Sequence, residues 1–143
     1  MGRPGLRRLV VDTSVMMKWF VAWGETSLDE AMELLRAHRD GEVVLLAPSS
    51  ATVEVANTLR YIGIDSEDAL GFLEDFARTN IVYFAGTEAR VSAAISCAFA
   101  HRISVYDAMF LALAQELDCP LVTADRRAFG SIPPDVAEVQ LLL

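Results

Sequence analysis

Short runs of apolar residues, each stopped by an acid or a turn former, constrain this chain most. They are Leu9-Val10-Val11 before Asp12, Val43-Val44-Leu45-Leu46 before Ala47-Pro48, Ile81-Val82-Tyr83-Phe84 before Gly86, and Leu121-Val122-Thr123 shortly before Asp125. Val139 to Leu143 offers a fifth. Runs this short, without polar alternation, fit strands covered on both faces. Helical patterns fill the intervals, at 28–39, 50–62, 66–79, 87–100 and 104–118. Strands alternating with helices imply parallel strands joined by crossovers. The expected architecture is therefore a three-layer α/β/α sandwich with a central parallel sheet of four or five strands. Turn signals fall at Gly24, Asp40-Gly41, Gly63, Gly86 and Pro133-Pro134. No linker, repeat or low-complexity tract interrupts the pattern, and 143 residues suit one domain over 1–143.

Composition narrows the function. The longest apolar run, Ala108 to Ala114, has seven residues, where a membrane span needs about 20. Arg3, Arg7 and Arg8 are followed by only three apolar residues, too few for a secretory signal. Two cysteines, Cys97 and Cys119, make neither a disulfide framework nor a thiolate metal cage. A cytoplasmic setting with reduced thiols is expected. Twelve basic residues face twenty acidic ones, a net charge of −8. That disfavours passive coating of nucleic acid, which calls for a basic surface. Eleven of the twelve cations are arginine, with Lys18 the exception, so local bidentate phosphate contacts remain available.

Most of the acids read as solvated helix faces. Asp29, Glu30 and Glu33 sit early in one helix, where the dipole favours them, and Asp65, Glu67, Asp68, Glu74 and Asp75 belong to another. Four acids stand apart. Asp12 and Asp125 each follow an apolar strand. Asp107 shares a helix face with Phe110, Leu111 and Ala114. Glu54 flanks the stripe Val55, Leu59, Ile62, beside the polar strip Asn57, Thr58, Tyr61. Open parallel sheets bind ligands outside the carboxyl ends of their strands, and all four acids can reach that rim. Four carboxylates in one cleft repel each other unless a cation joins them. An all-oxygen set without His or Cys points to Mg²⁺ or Mn²⁺. Each acid also has a plainer use. Ser104 and Asp107 form a capping box, Asp12 can cap a helix starting near Ser14, Asp125 can open the turn before Arg126-Arg127, and Glu54 can be a solvated helix residue.

Other residues read more simply. His38 looks solvent-facing at a helix end, and His101 looks like the close of another helix. Met16 and Met17 suit packing, and Cys97 and Cys119 suit small buried hydrophobes. Trp19, Phe20 and Trp23 can stack on bases, but their spacing better suits a core or dimer face.

Val11-Asp12-Thr13-Ser14-Val15 with Lys18-Trp19-Phe20, and Glu54 through Arg60, resemble the first half of PIN-domain proteins. Ser104-Val105-Tyr106-Asp107-Ala108 with Leu111 to Ala114, then Pro120 to Asp125, resemble the second half. The VapC toxin branch matches most closely, from about residue 7 to the end. The resemblance implies a Mg²⁺- or Mn²⁺-dependent endoribonuclease whose acids fall on Asp12, Glu54, Asp107 and Asp125. It places a hydroxyl near the metal, here Thr13, Ser14 or Thr123, and implies 5′-phosphate and 3′-hydroxyl products. It further implies a homodimer and a cognate antitoxin whose basic C-terminal segment brings an arginine to the carboxylates. Asn57 would support the acids. Arg60, Arg126 and Arg127 can hold RNA phosphates, which the net charge otherwise opposes.

Three other readings compete. A phospho-receiver domain is also small and acidic, but it needs paired acids after the first strand, an Asp after the third and a Lys after the last. Here Gly86 follows the third strand, and the sole lysine is Lys18. A PIN nuclease of RNA maturation or decay would work without an antitoxin. A non-catalytic acidic module would only bind a basic partner.

Overall fold

In the computed structural model the described residues are 6–21 and 27–142. The chain order is β1 (Arg7–Val11), α1 (Thr13–Met16), a 3₁₀ turn (Met17–Trp19), α2 (Leu28–Arg39), β2 (Val43–Pro48), α3 (Ala51–Tyr61) and α4 (Ser66–Ala77). Then come β3 (Val82–Phe84), α5 (Glu88–His101), α6 (Val105–Leu117), β4 (Leu121–Thr123), α7 (Arg126–Phe129) and β5 (Val139–Leu141). The helix starts have identifiable chemistry. Asp65, Thr87 and Ser104 each accept the N–H of the third residue beyond, at 2.8, 3.2 and 3.0 Å, and so open α4, α5 and α6. Gly41 and Gly63 close helices at φ +76° and +86°, a region that L side chains rarely adopt.

All five strands are parallel, in the order β3-β2-β1-β4-β5. Leu9 pairs with Leu45, and Val10 with both Leu46 and Leu121. Right-handed crossovers place the helices by connection. Steps from β1 to β2 to β3 run one way and carry α2, α3 and α4 on one face. The step from β3 to β4 runs back across the sheet and puts α5 and α6 on the other. The strand order therefore reverses between β1 and β4, the switch point at which a crevice opens.

The core lies on both faces of β1, β2 and β4. Val10, Val11, Leu45 and Leu121 are fully buried, and α6 buries every residue from Ala108 to Ala114. The expectation that every strand is covered on both faces fails at the sheet edges. Val82 and Tyr83 of β3 are exposed and β5 is only half-buried, because an edge strand lacks a neighbour to complete its cover. Trp19 is buried and donates from Nε1 to the Ala31 carbonyl at 2.8 Å. Phe20 stacks edge-on to Trp19 and Phe76, so both aromatics are core rather than base platforms. Trp23, Gly24, Arg3 and Leu143 lie outside the described residues.

His38 departs from its expected solvent position. Its Nδ1 accepts the Leu45 N–H at 3.2 Å and its Nε2 lies 2.8 Å from the Thr79 carbonyl. The ring thereby ties α2 to β2 and to the turn after α4. Met16, Met17 and Cys97 are buried, while Cys119 is only half-buried, and both thiols are free. Among the described residues no single helix is long and apolar enough to cross a membrane.

Candidate active site

The switch point is built from two strand ends. The Asp12 N–H donates to the Val122 carbonyl at 2.9 Å, so the residue after β1 is held against β4. Asp12 takes the N-cap position of α1, yet its side chain accepts no backbone N–H there. Its Oδ2 instead accepts the Ser14 hydroxyl at 2.6 Å and the Thr123 hydroxyl at 2.9 Å. Ser14 Oγ in turn accepts the Ala124 N–H at 3.0 Å, and Thr123 Oγ1 accepts the Asp125 N–H at 2.9 Å. The capping reading of Asp12 thus gives way to a hydroxyl-cradled carboxylate. Asp125 does act as a cap: its Oδ1 accepts the Ala128 N–H at 3.0 Å and starts α7. The Ser104 half of the capping box forms at Asp107.

Asp12, Asp107 and Asp125 line one notch of about 360 Å³. Thr13, Ser14, Met17, Lys18, Thr58 and Ala124 complete its wall. Glu54 lines the adjoining pocket with Asn57, and the two openings share Thr13, Thr58 and Asp107. The structure therefore brings three of the four singled-out acids into one notch and sets Glu54 next door. Two other cavities, between α5 and α6 and between α3 and α4, contain none of the four.

The electrostatics record the crowding. Burial pushes the Asp12 carboxyl up to about 6. The Ser14 and Thr123 hydroxyls pull it down, and Asp107 and Asp125 push it further up. Glu54 is pushed up to about 8, first by burial and then by Asp12 and Asp107. Asp107 is raised by burial and by Asp125, against a hydrogen bond with Ser104. Glu54 Oε2 is buried without a hydrogen-bond partner, as is the Ser50 hydroxyl. Protons or a cation relieve such a cluster. The donors are all hard oxygens, which fits Mg²⁺ or Mn²⁺. Among the described residues no three Asp, Glu, His or Cys side chains stand close enough together to hold a metal ion as they are placed.

The expected phosphate contacts lie elsewhere. Arg60 sits 5.1 Å over the Tyr61 ring and borders the groove between α3 and α4 rather than the notch. Arg126 and Arg127 are exposed on α7, beside the notch in sequence but not lining it. Sequence reasoning missed two residues. Lys18, only 9% exposed, lines the acidic notch, and the signal available was its status as the sole lysine, six residues after Asp12. Tyr106 stands beside Glu54 and Asp107 in the adjoining pocket, and its signal was adjacency to Asp107.

The fold and site define an α/β domain that gathers carboxylates at the switch point of a parallel sheet. The PIN domain family model matches residues 9–133, and the chain belongs to that family. Solved structures agree on the fold. Rickettsia felis VapBC2, bound to a promoter DNA fragment, matches with TM-score 0.69 and 14% identity, over 95% of this chain and 99% of that one. DNA-bound VapBC from Salmonella typhimurium matches with TM-score 0.68 and 13% identity, over 94% and 98%. Mycobacterium tuberculosis VapC20, a sarcin–ricin loop cleaving toxin, matches with TM-score 0.66 and 18% identity, over 86% and 94%. A search of the curated proteins finds no significant match.

Proposed function

We propose that the chain is a Mg²⁺- or Mn²⁺-dependent endoribonuclease and the toxin of a toxin–antitoxin pair. The observation that carries this reading is the notch in which Asp12, Asp107 and Asp125 converge at the switch point, with Glu54 beside it. Family membership supports it, since PIN domains generally use divalent metals. The RNA substrate and the antitoxin are inferred from the fold-mates, one an RNA-loop cleaving toxin and others VapBC complexes.

Asp12 and Asp107 would hold the ion directly, with Glu54 and Asp125 completing the shell directly or through water. When bound, the ion supplies Lewis acidity at the phosphate and lowers the pKa of water. The chain's own part is orientation. Ser14 and Thr123 fix the Asp12 carboxylate, and the cap at Ala128 fixes that of Asp125. Thr13 stands on the wall that the two openings share, and Asn57 stands in the pocket with Glu54. Glu54, which burial holds near neutral proton affinity, suits the task of orienting and accepting from an attacking water.

The same acids suit inhibition by an antitoxin. An arginine on its basic C-terminal segment would replace the cation by charge-assisted hydrogen bonds. A homodimer would cover the outward stripe Val91, Ile95 and Phe99 of α5, a helix without charge between Arg90 and His101. Its place would be the cytoplasm, where RNA and two free thiols belong together.

The test incubates the purified chain with structured RNAs in Mn²⁺, Mg²⁺ or chelator. Metal-dependent fragments bearing 5′-phosphates are expected. Intact RNA across several substrates, or cleavage indifferent to chelator, would overturn the reading. A neighbouring small reading frame that encodes a DNA-binding head and a basic tail would fix the toxin role.

A further inference from the structure

The acidic notch is only half of the opening at the sheet edge. The pocket beside it, about 780 Å³, has different chemistry. Tyr106, 66% exposed, stands on its wall in the first turn of α6. Asn57, exposed on α3, lines it too. Among the described residues two buried side-chain polar atoms lack a partner, Ser50 Oγ and Glu54 Oε2, and both belong to residues of this pocket and not of the notch. Orphaned buried polar atoms are rare in native proteins and mark places that something else completes. The ion and water proposed above would take up Glu54 Oε2, but a purely apolar ligand would leave Ser50 Oγ unsatisfied. A bare phosphate would meet Glu54 and Asp107 with no cation among the pocket's lining residues. A nucleobase offers what the wall asks for, a π-face and a hydrogen-bonding edge.

Charge strengthens the case. The net charge is −8, Arg60, Arg126 and Arg127 line neither opening, and the notch's cation, Lys18, is buried among three carboxylates, so long-range attraction contributes little to RNA binding. Affinity must come from short-range contacts, and stacking on an exposed aromatic is the strongest of these for a single-stranded nucleotide.

We propose that this pocket receives one unstacked base of the RNA, adjacent to the phosphate at the acidic notch, with Tyr106 as its stacking platform and Asn57 reading its edge. The proposal rests on the nuclease reading above. It predicts that one base position next to the cleaved bond dominates the choice of RNA.

The test uses the full chain, Mn²⁺, and an RNA hairpin whose cleaved bond has been mapped with the wild type. Matched hairpins carry 2-aminopurine or an abasic nucleotide at each position flanking that bond. Tyr106→Ala should raise KM roughly ten- to hundredfold with kcat little changed, while Tyr106→Phe stays near wild type. An abasic nucleotide at one flanking position should cost the wild type the same factor and cost Tyr106→Ala nothing more. 2-Aminopurine there should be quenched on mixing with wild type and Tyr106→Phe, but not with Tyr106→Ala. Asn57→Ala should narrow the rate differences among bases at that position. An unmoved KM in Tyr106→Ala, or mutant and abasic effects that multiply, would refute the base pocket and leave the nuclease standing. Wild type that leaves every RNA intact would refute both.

Discussion

Replacing Asp12 with asparagine should make the metal-free protein more stable at alkaline pH. In the folded chain the Asp12 carboxyl keeps its proton up to about pH 6, against an ordinary value of 3.8. Between those values the folded state binds more protons than the unfolded state. The contribution of Asp12 to stability is therefore greatest at acid pH and falls as pH rises from about 4 through 6. Well above pH 6 the charged carboxylate costs about 3 kcal/mol. Asparagine keeps a carbonyl oxygen for the Ser14 and Thr123 hydroxyls and carries no charge. Part of the penalty returns as stability, about 1–3 kcal/mol at pH 8. For a chain this size that is a rise in Tm of roughly 3–10 °C. The assay is thermal melting in chelator, with wild type and Asp12→Asn compared at pH 8 and pH 4. At pH 4 the gap should shrink to under about 1 kcal/mol, because Asp12 is then protonated in the folded state and close to half protonated in the unfolded one. Saturating Mg²⁺ at pH 8 should raise the wild type and leave the variant nearly unmoved. Asp12→Asn should also abolish metal-dependent RNA cleavage. A variant that melts at or below wild type at pH 8, or a gap that widens toward acid, would refute the account of a repelled, desolvated carboxylate.

Other outcomes follow from the same structure. Thr123→Val removes a buried hydroxyl that serves both Asp12 and the Asp125 N–H, and should cost about 1–3 kcal/mol in urea denaturation, with Thr123→Ser recovering most of it. Equal stability of Thr123→Val would show that the hydroxyl is dispensable. Trp19→Ala empties a core site and removes a hydrogen bond to the Ala31 carbonyl, so a loss of about 3–5 kcal/mol is expected, and a loss under about 1 would remove Trp19 from the core. Joint replacement of Arg126 and Arg127 by alanine should leave Tm unchanged, because both are exposed. It should flatten the salt dependence of RNA KM by about 0.7 in log–log slope for each phosphate that these side chains neutralise. An unchanged slope would assign both arginines to solvent alone.

Local pattern carried much of this architecture. The expected helix at 28–39 matches α2, and the others differ from α3, α4, α5 and α6 by only one or two residues at their ends. Their apolar spacing and caps act within a few residues of chain, where sequence is informative. Asp12 and Asp125 were legible for the same reason, since each ends an apolar strand. What escaped depends on packing between distant segments. His38 reads as a helix-end cation, and only the approach of β2 and the turn after α4 makes it a bridge. Lys18 and Tyr106 differ in exposure because of the elements around them, which periodicity does not encode. The division of the carboxylates into a notch and a neighbouring pocket depends on how α3 sits against α6, a property of the assembled layers.

The hydroxyl of Thr123 and the carboxylate of Asp12 are 111 positions apart in the chain, yet they form one bond at the heart of the cleft. During synthesis the Asp12 carboxylate emerges first, and the strand that cradles it follows 111 residues later. A growing polypeptide thus carries an uncradled carboxylate until that second strand has been made.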